Sequence, residues 1–439
     1  MPIKPITIAG WLLLYLLIAL LPMMIAMGIE RPEPRDLLVE MGSMLGLLGL
    51  GMLATQLIIS GRHRWFAAGV GQDNLLQFHR RTGITAWILI LAHPVLLMTG
   101  DQQFIAWLDP TEDWLRASGV YALALAVTAL IISSLWRKQL GLQYENWRTV
   151  HAGLSLFVVA GGLGHALMGR HHTDGWLTQI LFIAAITIPL LLLLETRLWR
   201  PYQMQKRPWR VVESENTRAD STDLILVADG HRGMNFKPGQ FAWLTLGSSP
   251  FSIQQHPFSM ASSSSNPGHL EFVIKEAGDF THYLAKVKPG DKAFLEGPYG
   301  VFTMDPKAKR RAVFIVGGIG ITPILSMIRS RLVEHNQSPM WLIYANKSED
   351  EIIMRDTLEA FTQKLPLQVF HVLSDPSDDW MGESGYVDGD LLDEYLPEDA
   401  EDIDYFVCGP PPMMDLVEPE LRKRGVNICR MYSERFNLV

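Results

Sequence analysis

Cysteine is almost absent from this 439-residue sequence, which contains only Cys408 and Cys429. Two cysteines in the second half of the chain provide neither a disulfide framework nor a cysteine zinc site. The sequence also lacks a basic patch: 38 lysines and arginines face 46 acidic residues, which argues against nucleic-acid binding. No calcium loop of the D-x-D-x-D-G kind is present, so the sequence has no evident calcium switch.

Apolar residues are abundant and unevenly distributed. They make up 48% of the chain, and the mean hydropathy of +0.12 is high for a wholly soluble protein. Most lie before about residue 200, in runs long enough to cross a hydrocarbon core of about 30 Å. The sequence predicts six membrane spans, near residues 8–28, 38–60, 76–99, 117–135, 149–168 and 177–196. Because the first run is long for a signal sequence and has no clear cleavage site, we expect it to be retained as a span.

Basic residues predict the orientation of these spans. They gather in the segments 61–81, 137–148 and 197–207, which alternate with acidic loops such as 101–113. The positive-inside rule then places the N-terminus and the whole second half of the chain in the cytoplasm. The expected location is a cell inner membrane, with membrane lipid as the surrounding partner.

Four histidines in the apolar half form two pairs with the same spacing, His79 with His93 and His151 with His165. Fourteen helical residues advance roughly 21 Å and return to nearly the same face. Two such helices facing each other would present two stacked pairs of imidazoles, as two b hemes require. A buried polar role is the alternative, but imidazoles inside a membrane are rare and usually functional.

After about Trp209 the sequence changes to short alternating runs broken by proline and glycine. Residues 222–228, 240–246, 269–275 and 292–296 are typical of strands in a small antiparallel barrel. Further along, an apolar strand over 312–316 runs into a glycine turn and then a helix, with later strands at 340–345 and 367–373. Strand, glycine turn, helix and strand predict a doubly wound α/β unit with a phosphate site at the helix N-terminus.

Several motifs in this half resemble one family. They are His256-Pro257-Phe258-Ser259, Gly278-Asp279-Phe280-Thr281, Gly297-Pro298-Tyr299-Gly300 and Cys408-Gly409-Pro410-Pro411-Pro412-Met413. Their order is similar to that of the ferredoxin-NADP reductase superfamily in its NADPH oxidase and ferric reductase branch. With the paired histidines, the chain resembles a prokaryotic NADPH oxidase or ferric-reductase-like transmembrane flavocytochrome b.

The resemblance implies three domains. The expected divisions are a six-helix transmembrane domain with two b hemes over residues 1–200, an antiparallel β-barrel FAD domain over 205–306, and an α/β NAD(P) domain over 308–439. The four histidines would ligate the heme iron. On this basis the chain is an enzyme, an NAD(P)H oxidase or ferric-reductase-like oxidoreductase.

The resemblance also assigns roles around the flavin. Phe258 would lie against the isoalloxazine, and Ser259 would act as a catalytic residue by hydrogen bonding near N5. The FAD pyrophosphate would be held by backbone amides around Gly278 to Thr281 and by Lys275. His256, with Pro257 beside it, stands where relatives outside this branch have arginine.

The nucleotide residues follow in the same way. NADPH or NADH would bind at Gly317, Gly318, Gly320 and Thr322, and Cys408 with Gly409 would approach the nicotinamide. Phe436 resembles the near-terminal aromatic that covers the flavin until the nicotinamide displaces it, and packing in an interface is the alternative. Asn346-Lys347-Ser348 favours a 2'-phosphate and Glu349-Asp350-Glu351 opposes one, so the sequence leaves the choice of nicotinamide open.

These assignments imply hydride transfer from cytoplasmic NAD(P)H to FAD. Single electrons then pass to the site of His79 and His151, onward to that of His93 and His165, and out to an acceptor. We expect the acceptor to be O2, giving superoxide, with no protein partner required. The alternatives are a reductase of ferric or cupric chelates, aided by Arg170, His171 and His172, and an electron-relay subunit for a periplasmic protein.

Overall fold

A computed structural model describes residues 5–29, 32–284, 286–397 and 402–435. The described chain divides into two compact units. One contains residues 5–66 and 74–199, and we call it the membrane unit. The other contains residues 67–73 and 200–435 within the described range, and we call it the nucleotide unit.

The membrane unit is a bundle of six long helices, which confirms the six predicted spans. They are α1 (Pro5–Ile29), α2 (Leu37–Ile59), α3 (Gln72–Gly100), α4 (Trp114–Leu135), α5 (Tyr144–Met168) and α6 (Trp176–Leu194). A short helix over Arg64–Val70 precedes α3. After α6 the chain continues as a π-helical turn, Glu195–Trp199, and a short helix, Arg200–Gln205.

Exposed side chains on these helices show why the bundle suits lipid. Ile88 is 62% exposed and Leu125 is 71% exposed, so each offers an apolar surface that water would not favour. Trp114 and Trp176, at the starts of α4 and α6, are also exposed. Tryptophans at helix ends suit the interface between lipid and water. The protein is therefore a multi-pass membrane protein.

The first part of the nucleotide unit is a six-stranded antiparallel sheet. Its strands are β1 (Trp209–Thr217), β2 (Ser221–Ala228), β3 (Phe241–Leu246), β4 (His256–Ser259), β5 (His269–Lys275) and β6 (Lys292–Tyr299), in the order β4-β3-β6-β1-β2-β5. The two edges meet just beyond β4, where the amide of Ala261 donates to the Glu271 oxygen at 2.7 Å. A short helix, α7 (Asp279–Leu284), follows β5.

The second part is a parallel six-stranded sheet with helices between its strands. The strands are β7 (Arg311–Gly317), β8 (Met340–Asn346), β9 (Leu367–Leu373), β10 (Glu383–Ser384), β11 (Ile403–Cys408) and β12 (Met431–Glu434), in the order β10-β9-β8-β7-β11-β12. The helices are α8 (Ile321–Val333), α9 (Arg355–Thr362), α10 (Gly389–Tyr395) and α11 (Pro411–Lys423). The central β7 and β8 are almost wholly buried, as expected of strands covered on both faces.

The predicted architecture is confirmed: a six-helix membrane bundle, an antiparallel sheet domain and a parallel-sheet nucleotide-binding domain. The sequence did not predict β1, β4, β10, β11 or β12. In β1 polar residues break the alternation of apolar side chains, and β4 has only four residues, one of them a proline. Both therefore lack the usual pattern of a strand.

Candidate functional site

The four histidines of the membrane unit meet in two pairs across α3 and α5. The ring centres of His93 and His165 are 6.0 Å apart, and those of His79 and His151 are 6.3 Å apart. Two imidazoles that ligate one metal from opposite sides, each at about 2 Å, have ring centres roughly 6 Å apart. Both pairs therefore have the spacing of bis-histidine ligation.

Hydrogen bonds at Nδ1 orient one histidine of each pair. Nδ1 of His93 lies 2.8 Å from the carbonyl oxygen of Gly42, which can only accept, so this nitrogen is the donor. Nδ1 of His151 lies 3.2 Å from Oγ of Ser134, whose own hydroxyl donates to the Leu130 oxygen at 2.7 Å. A histidine bound in this way at Nδ1 presents Nε2 to a metal, as metal-ligating histidines commonly do.

Glycines leave open space along the two helices that carry these histidines. A Cβ atom built on Gly83, Gly153 or Gly164 would meet no heavy atom within 4 Å, so the backbone beside the histidines is open to a flat group. Gly46 differs, because its Cβ would lie 2.7 Å from Nδ1 of His93. The glycine at position 46 allows His93 to pack directly against α2. Taken together, the open backbone and the paired histidines fit a heme.

A cavity of about 320 Å³ lies beside the pair formed by His93 and His165. His93 and His165 line it, together with Trp107, whose ring centre is 5.8 Å from that of His165. His171 and His172 also line it. The sequence named Arg170, His171 and His172 as residues that could aid metal reduction. His171 and His172 approach Glu40 of α2, whereas Arg170 is exposed and does not belong to this group.

The predicted flavin residues gather at β4 and α7. The rings of His256 and Phe280 have centres 4.2 Å apart, and Phe258 stacks on Phe280 at 6.0 Å with an angle of 19°. Oγ of Ser259 is buried and makes no hydrogen bond within the described part of the chain. A buried hydroxyl of this kind fits a ligand that supplies the missing partner. Pro257 occupies β4 between His256 and Phe258 and pairs with Trp243.

The residues predicted to hold the flavin pyrophosphate have partners in the nucleotide unit. Nζ of Lys275 lies 2.9 Å from a Glu351 carboxylate oxygen. Oγ1 of Thr281 accepts from the amide of Gly278 at 3.0 Å and donates to its carbonyl at 2.8 Å. To reach a phosphate, the Lys275 ammonium must therefore leave the Glu351 carboxylate or contact both groups. Thr281 stabilises the turn at the start of α7.

The glycine turn after β7 packs tightly against the turn after β11. A Cβ on Gly320 would lie 2.4 Å from the Cys408 carbonyl oxygen, and one on Gly409 would lie 2.9 Å from the Gly317 amide. Gly318 has φ +52° and open space beside it, so backbone can be approached there by a ligand. The predicted nucleotide residues are thus brought together at the carboxyl ends of neighbouring strands.

Thr322 and Cys408 have more specific surroundings than the sequence indicated. Oγ1 of Thr322 donates to the Ile319 oxygen at 3.0 Å and lies 3.3 Å from the Val273 oxygen of β5. The side chain of Cys408 is fully buried. Phe436, the predicted flavin cover, lies outside the described residues.

Several side chains near these sites had no clear signal in the sequence. Ser134 and Trp147 flank His151, with the Trp147 ring centre 5.0 Å from that of the histidine. Glu40 lies about 130 positions from the histidines that it meets, so no local spacing links them.

Three protein families match successive parts of the chain. The ferric reductase like transmembrane component matches residues 45–162, an FAD-binding domain matches residues 221–303, and an oxidoreductase NAD-binding domain matches residues 314–418. Together they follow the membrane bundle, the antiparallel sheet and the parallel sheet. FAD and NAD(P)H are accordingly the cofactor and the electron donor of the nucleotide unit.

The curated relatives named here each match less than half of the chain. The chain is 32% identical over 172 residues to NADH-cytochrome b5 reductase 1 of Lodderomyces elongisporus. This match covers 38% of this chain and 57% of that protein. It is 31% identical over 205 residues to the human NADH-cytochrome b5 reductase 1. This match covers 40% of this chain and 67% of the human protein. The cytochrome b5 reductase domain of Ulva prolifera nitrate reductase has a TM-score of 0.47 and 22% identity, covering 52% of this chain and 97% of that one. The chain thus spans between half and two thirds of the curated relatives it matches.

Proposed function

The chain belongs to the ferric-reductase-like transmembrane oxidoreductases that carry an FAD and NAD(P) module of the ferredoxin-NADP reductase type. From this premise we propose that it delivers electrons to the outer face of a cell membrane through two b hemes. The observation that carries the proposal is the spacing of the two histidine pairs, 6.3 Å and 6.0 Å between ring centres. His79 and His151 would hold the heme nearer the cytoplasm, and His93 and His165 the outer one.

The proposed domains follow the family divisions, with the membrane domain over 1–200, the FAD domain over 205–306 and the NAD(P) domain over 308–439. Basic residues at the ends of α2, α4 and α6 support a cytoplasmic location for the nucleotide unit. The cavity beside His93 and His165 would then open toward the outer side. Bound FAD would link the two-electron donor NAD(P)H to carriers that accept one electron at a time.

The chain's own residues account for how this donor side works. Gly318 leaves the backbone open to the dinucleotide, while Gly317 and Gly320 let this turn pack against the turn after β11. The buried strand end at Cys408 and Gly409 would position the nicotinamide. Ser259 offers the flavin a hydroxyl that makes no hydrogen bond to any described residue, and Phe258 with Phe280 supplies flat apolar surface. In the bundle, Gly42 orients His93 and Ser134 orients His151, two of the four imidazoles that would hold the hemes. Bound heme would supply one-electron carriers at two depths.

We propose O2 as the acceptor. One NAD(P)H would reduce two O2 to two superoxide ions, giving NAD(P)⁺ and one H⁺. A small apolar cavity suffices for O2, and the cavity of about 320 Å³ beside His93 and His165 provides one. A metal or its chelate is the second candidate acceptor, and the approach of His171 and His172 to Glu40 favours it.

Purified protein with FAD and each nicotinamide tests the proposal. Acceptor reduction is measured under air with and without superoxide dismutase, and then under nitrogen with a ferric chelate. Reduction that dismutase suppresses supports superoxide, and rapid anaerobic iron reduction supports the second candidate. The control is His93→Ala, which should abolish both while the nucleotide unit still reduces a soluble dye. If His93→Ala kept full acceptor activity, transfer through the histidine pairs would be wrong.

A further inference from the structure

A second group of ligand-type side chains lies at one end of the membrane unit. Glu40 is in the first turn of α2, and His171 and His172 are in the loop between α5 and α6. Nε2 of His172 is 2.8 Å from one Glu40 carboxylate oxygen, and Nε2 of His171 is 3.3 Å from the other. One ligand atom from each of the three residues lies within 4.8 Å of the others. We call these three residues the Glu-His-His cluster.

The donor set suits a first-row transition metal. Metals bind imidazole nitrogen at about 2.0–2.1 Å and carboxylate oxygen at about 2.0–2.2 Å, so ligand atoms around one ion lie roughly 3–4 Å apart. The distances of 2.8 Å and 3.3 Å need only a small adjustment to meet this range. Two imidazoles with one carboxylate bind copper(II), zinc and iron(II), and the order of affinities puts copper(II) first.

A simple hydrogen bond between His172 and Glu40 explains only part of this arrangement. It accounts for neither the approach of His171 to the same carboxylate nor the buried Nδ1 of His172, which makes no hydrogen bond among the described residues. Nε of Arg35 donates to the Glu40 carboxylate at 2.9 Å. Its Nη2 donates to Oγ of Ser43 at 2.9 Å and lies 3.5 Å from Nε2 of His172. The carboxylate is therefore oriented from outside the cluster, as second partners orient metal ligands.

The position of the cluster gives it a use. His171 and His172 line the same cavity of about 320 Å³ as His93 and His165, which are the ligands proposed for the outer heme. An ion held there would sit at the end of the electron path, without a protein partner. Of the described residues, only these three form a group of this kind.

We propose that Glu40, His171 and His172 bind a divalent first-row transition-metal ion, copper(II) most tightly, and that this bound ion is the acceptor in the second candidate reaction, taking single electrons from the outer end of the path. One NAD(P)H would reduce two Cu²⁺ to two Cu⁺, leaving NAD(P)⁺ and one H⁺. The electron supply rests on the proposed function, whereas the binding of the ion does not.

The same ligands favour release of the product. Copper(I) prefers soft sulfur ligands, and the cluster offers nitrogen and oxygen donors that hold copper(II) better. Arg35 also places a positive charge beside the carboxylate and weakens its hold on any cation. Reduction therefore lowers the affinity of the site, so the ion leaves after it accepts the electron.

Binding is tested on the oxidised full-length protein with Cu²⁺ alone. Electron paramagnetic resonance should show one site per chain with nitrogen hyperfine structure, and His172→Gln and Glu40→Gln should each weaken binding at least tenfold. The matched controls are His335→Gln and Glu112→Gln, which remove an exposed histidine and an exposed carboxylate elsewhere. Heme and flavin content should be unchanged in all four variants. Equal Cu²⁺ binding in the wild type and both cluster variants overturns the site.

The acceptor role is tested under nitrogen with at least two Cu²⁺ supplied per chain, by adding NADH or NADPH in an amount below half that of the copper. The Cu²⁺ signal should fall and a Cu⁺ chelator should report two ions per nucleotide, while His172→Gln should lose this activity and keep heme reduction. If the hemes are reduced and the Cu²⁺ signal does not fall, the acceptor role is wrong. If the hemes themselves stay oxidised while Cu²⁺ remains bound, the proposed electron path has failed and the metal site stands.

Discussion

Nδ1 of His93 donates a hydrogen bond to the carbonyl oxygen of Gly42 at 2.8 Å, and this contact joins two membrane helices at the proposed outer heme. The bond fixes the ring orientation and presents Nε2 for ligation. Gly42 and Gly46 are one turn apart on α2, and both lie against His93. These two glycines of α2 therefore position a proposed iron ligand.

Gly46→Ala tests this packing. The added Cβ would lie 2.7 Å from Nδ1 and 3.0 Å from Cε1 of His93, so the ring must shift. We expect the outer heme to be lost or its spectrum altered, with content falling from two hemes toward one per chain. The pyridine hemochrome assay measures this ratio. Gly119→Ala is the control, because its Cβ would meet nothing within 4 Å. Two hemes with unchanged spectra in Gly46→Ala would contradict the assignment of His93.

Ser134→Ala tests the inner site separately. The hydroxyl oxygen lies 3.2 Å from Nδ1 of His151, and loss of such an outer partner lowers metal affinity about 10-fold to 100-fold. We expect inner heme to dissociate more readily, as followed by heme transfer to an excess of apomyoglobin. Ser155→Ala is a close control, because that hydroxyl donates to the backbone oxygen of His151 and not to its ring. Equal heme loss from both variants would remove the role of Ser134.

The buried hydroxyl of Ser259, which has no hydrogen-bond partner in the part of the chain that the structure describes, gives a prediction for the flavin. If it bonds near the reactive edge of the isoalloxazine, Ser259→Ala should slow hydride transfer about tenfold, the cost of one hydrogen bond. Stopped-flow reduction of the bound flavin by NADH or NADPH measures the rate. Ser214→Ala, whose hydroxyl lies 3.3 Å from the Leu284 oxygen in the same domain, should leave the rate unchanged. An unchanged rate in Ser259→Ala would exclude this catalytic role.

Asp223 on β2 predicts a pH dependence of stability in the nucleotide unit. Burial, with the nearby Glu271 carboxylate, raises the pKa of Asp223 to about 7. The folded protein therefore holds a proton that the unfolded chain releases above its ordinary pKa near 3.8. This contribution to stability is complete at low pH and is lost as the pH rises through about 7.

Asp223→Asn keeps the neutral form at every pH. Its melting temperature, read from the release of flavin fluorescence, should exceed that of the wild type at pH 8, and the difference should shrink toward pH 5. Asp229→Asn is the control, at an aspartate just after β2 that pairs with Arg210. A difference that stays constant with pH would show that Asp223 does not titrate in this range.

The sequence predicted most of what local pattern determines. Long apolar runs identify the spans, and the spacing of 14 residues brings His79 and His93 to one face of α3 because helical periodicity is regular. It could not predict Glu40, because the approach of α2 to the loop of His171 and His172 depends on tertiary packing. Ser134 was hidden for the same reason, since it meets His151 across the packing of α4 on α5.

Strands without a clear alternation were also missed. β12 pairs with β11 through backbone hydrogen bonds, and only four residues near the end of the described chain form it. β4 is equally short and contains Pro257, which the sequence alone would place at a turn. In both cases the neighbouring strand, and not the local sequence, fixes the extended conformation.

The most direct test of the account is the heme content and spectrum of the purified protein and its single-histidine variants. We predict two hemes per wild-type chain, both low-spin with bis-histidine ligation, because each pair of rings has the required spacing. His79→Ala and His151→Ala should each remove one heme, and His93→Ala and His165→Ala the other, with FAD retained throughout. One heme per wild-type chain, or a high-spin spectrum in the intact protein, would contradict the two-heme path.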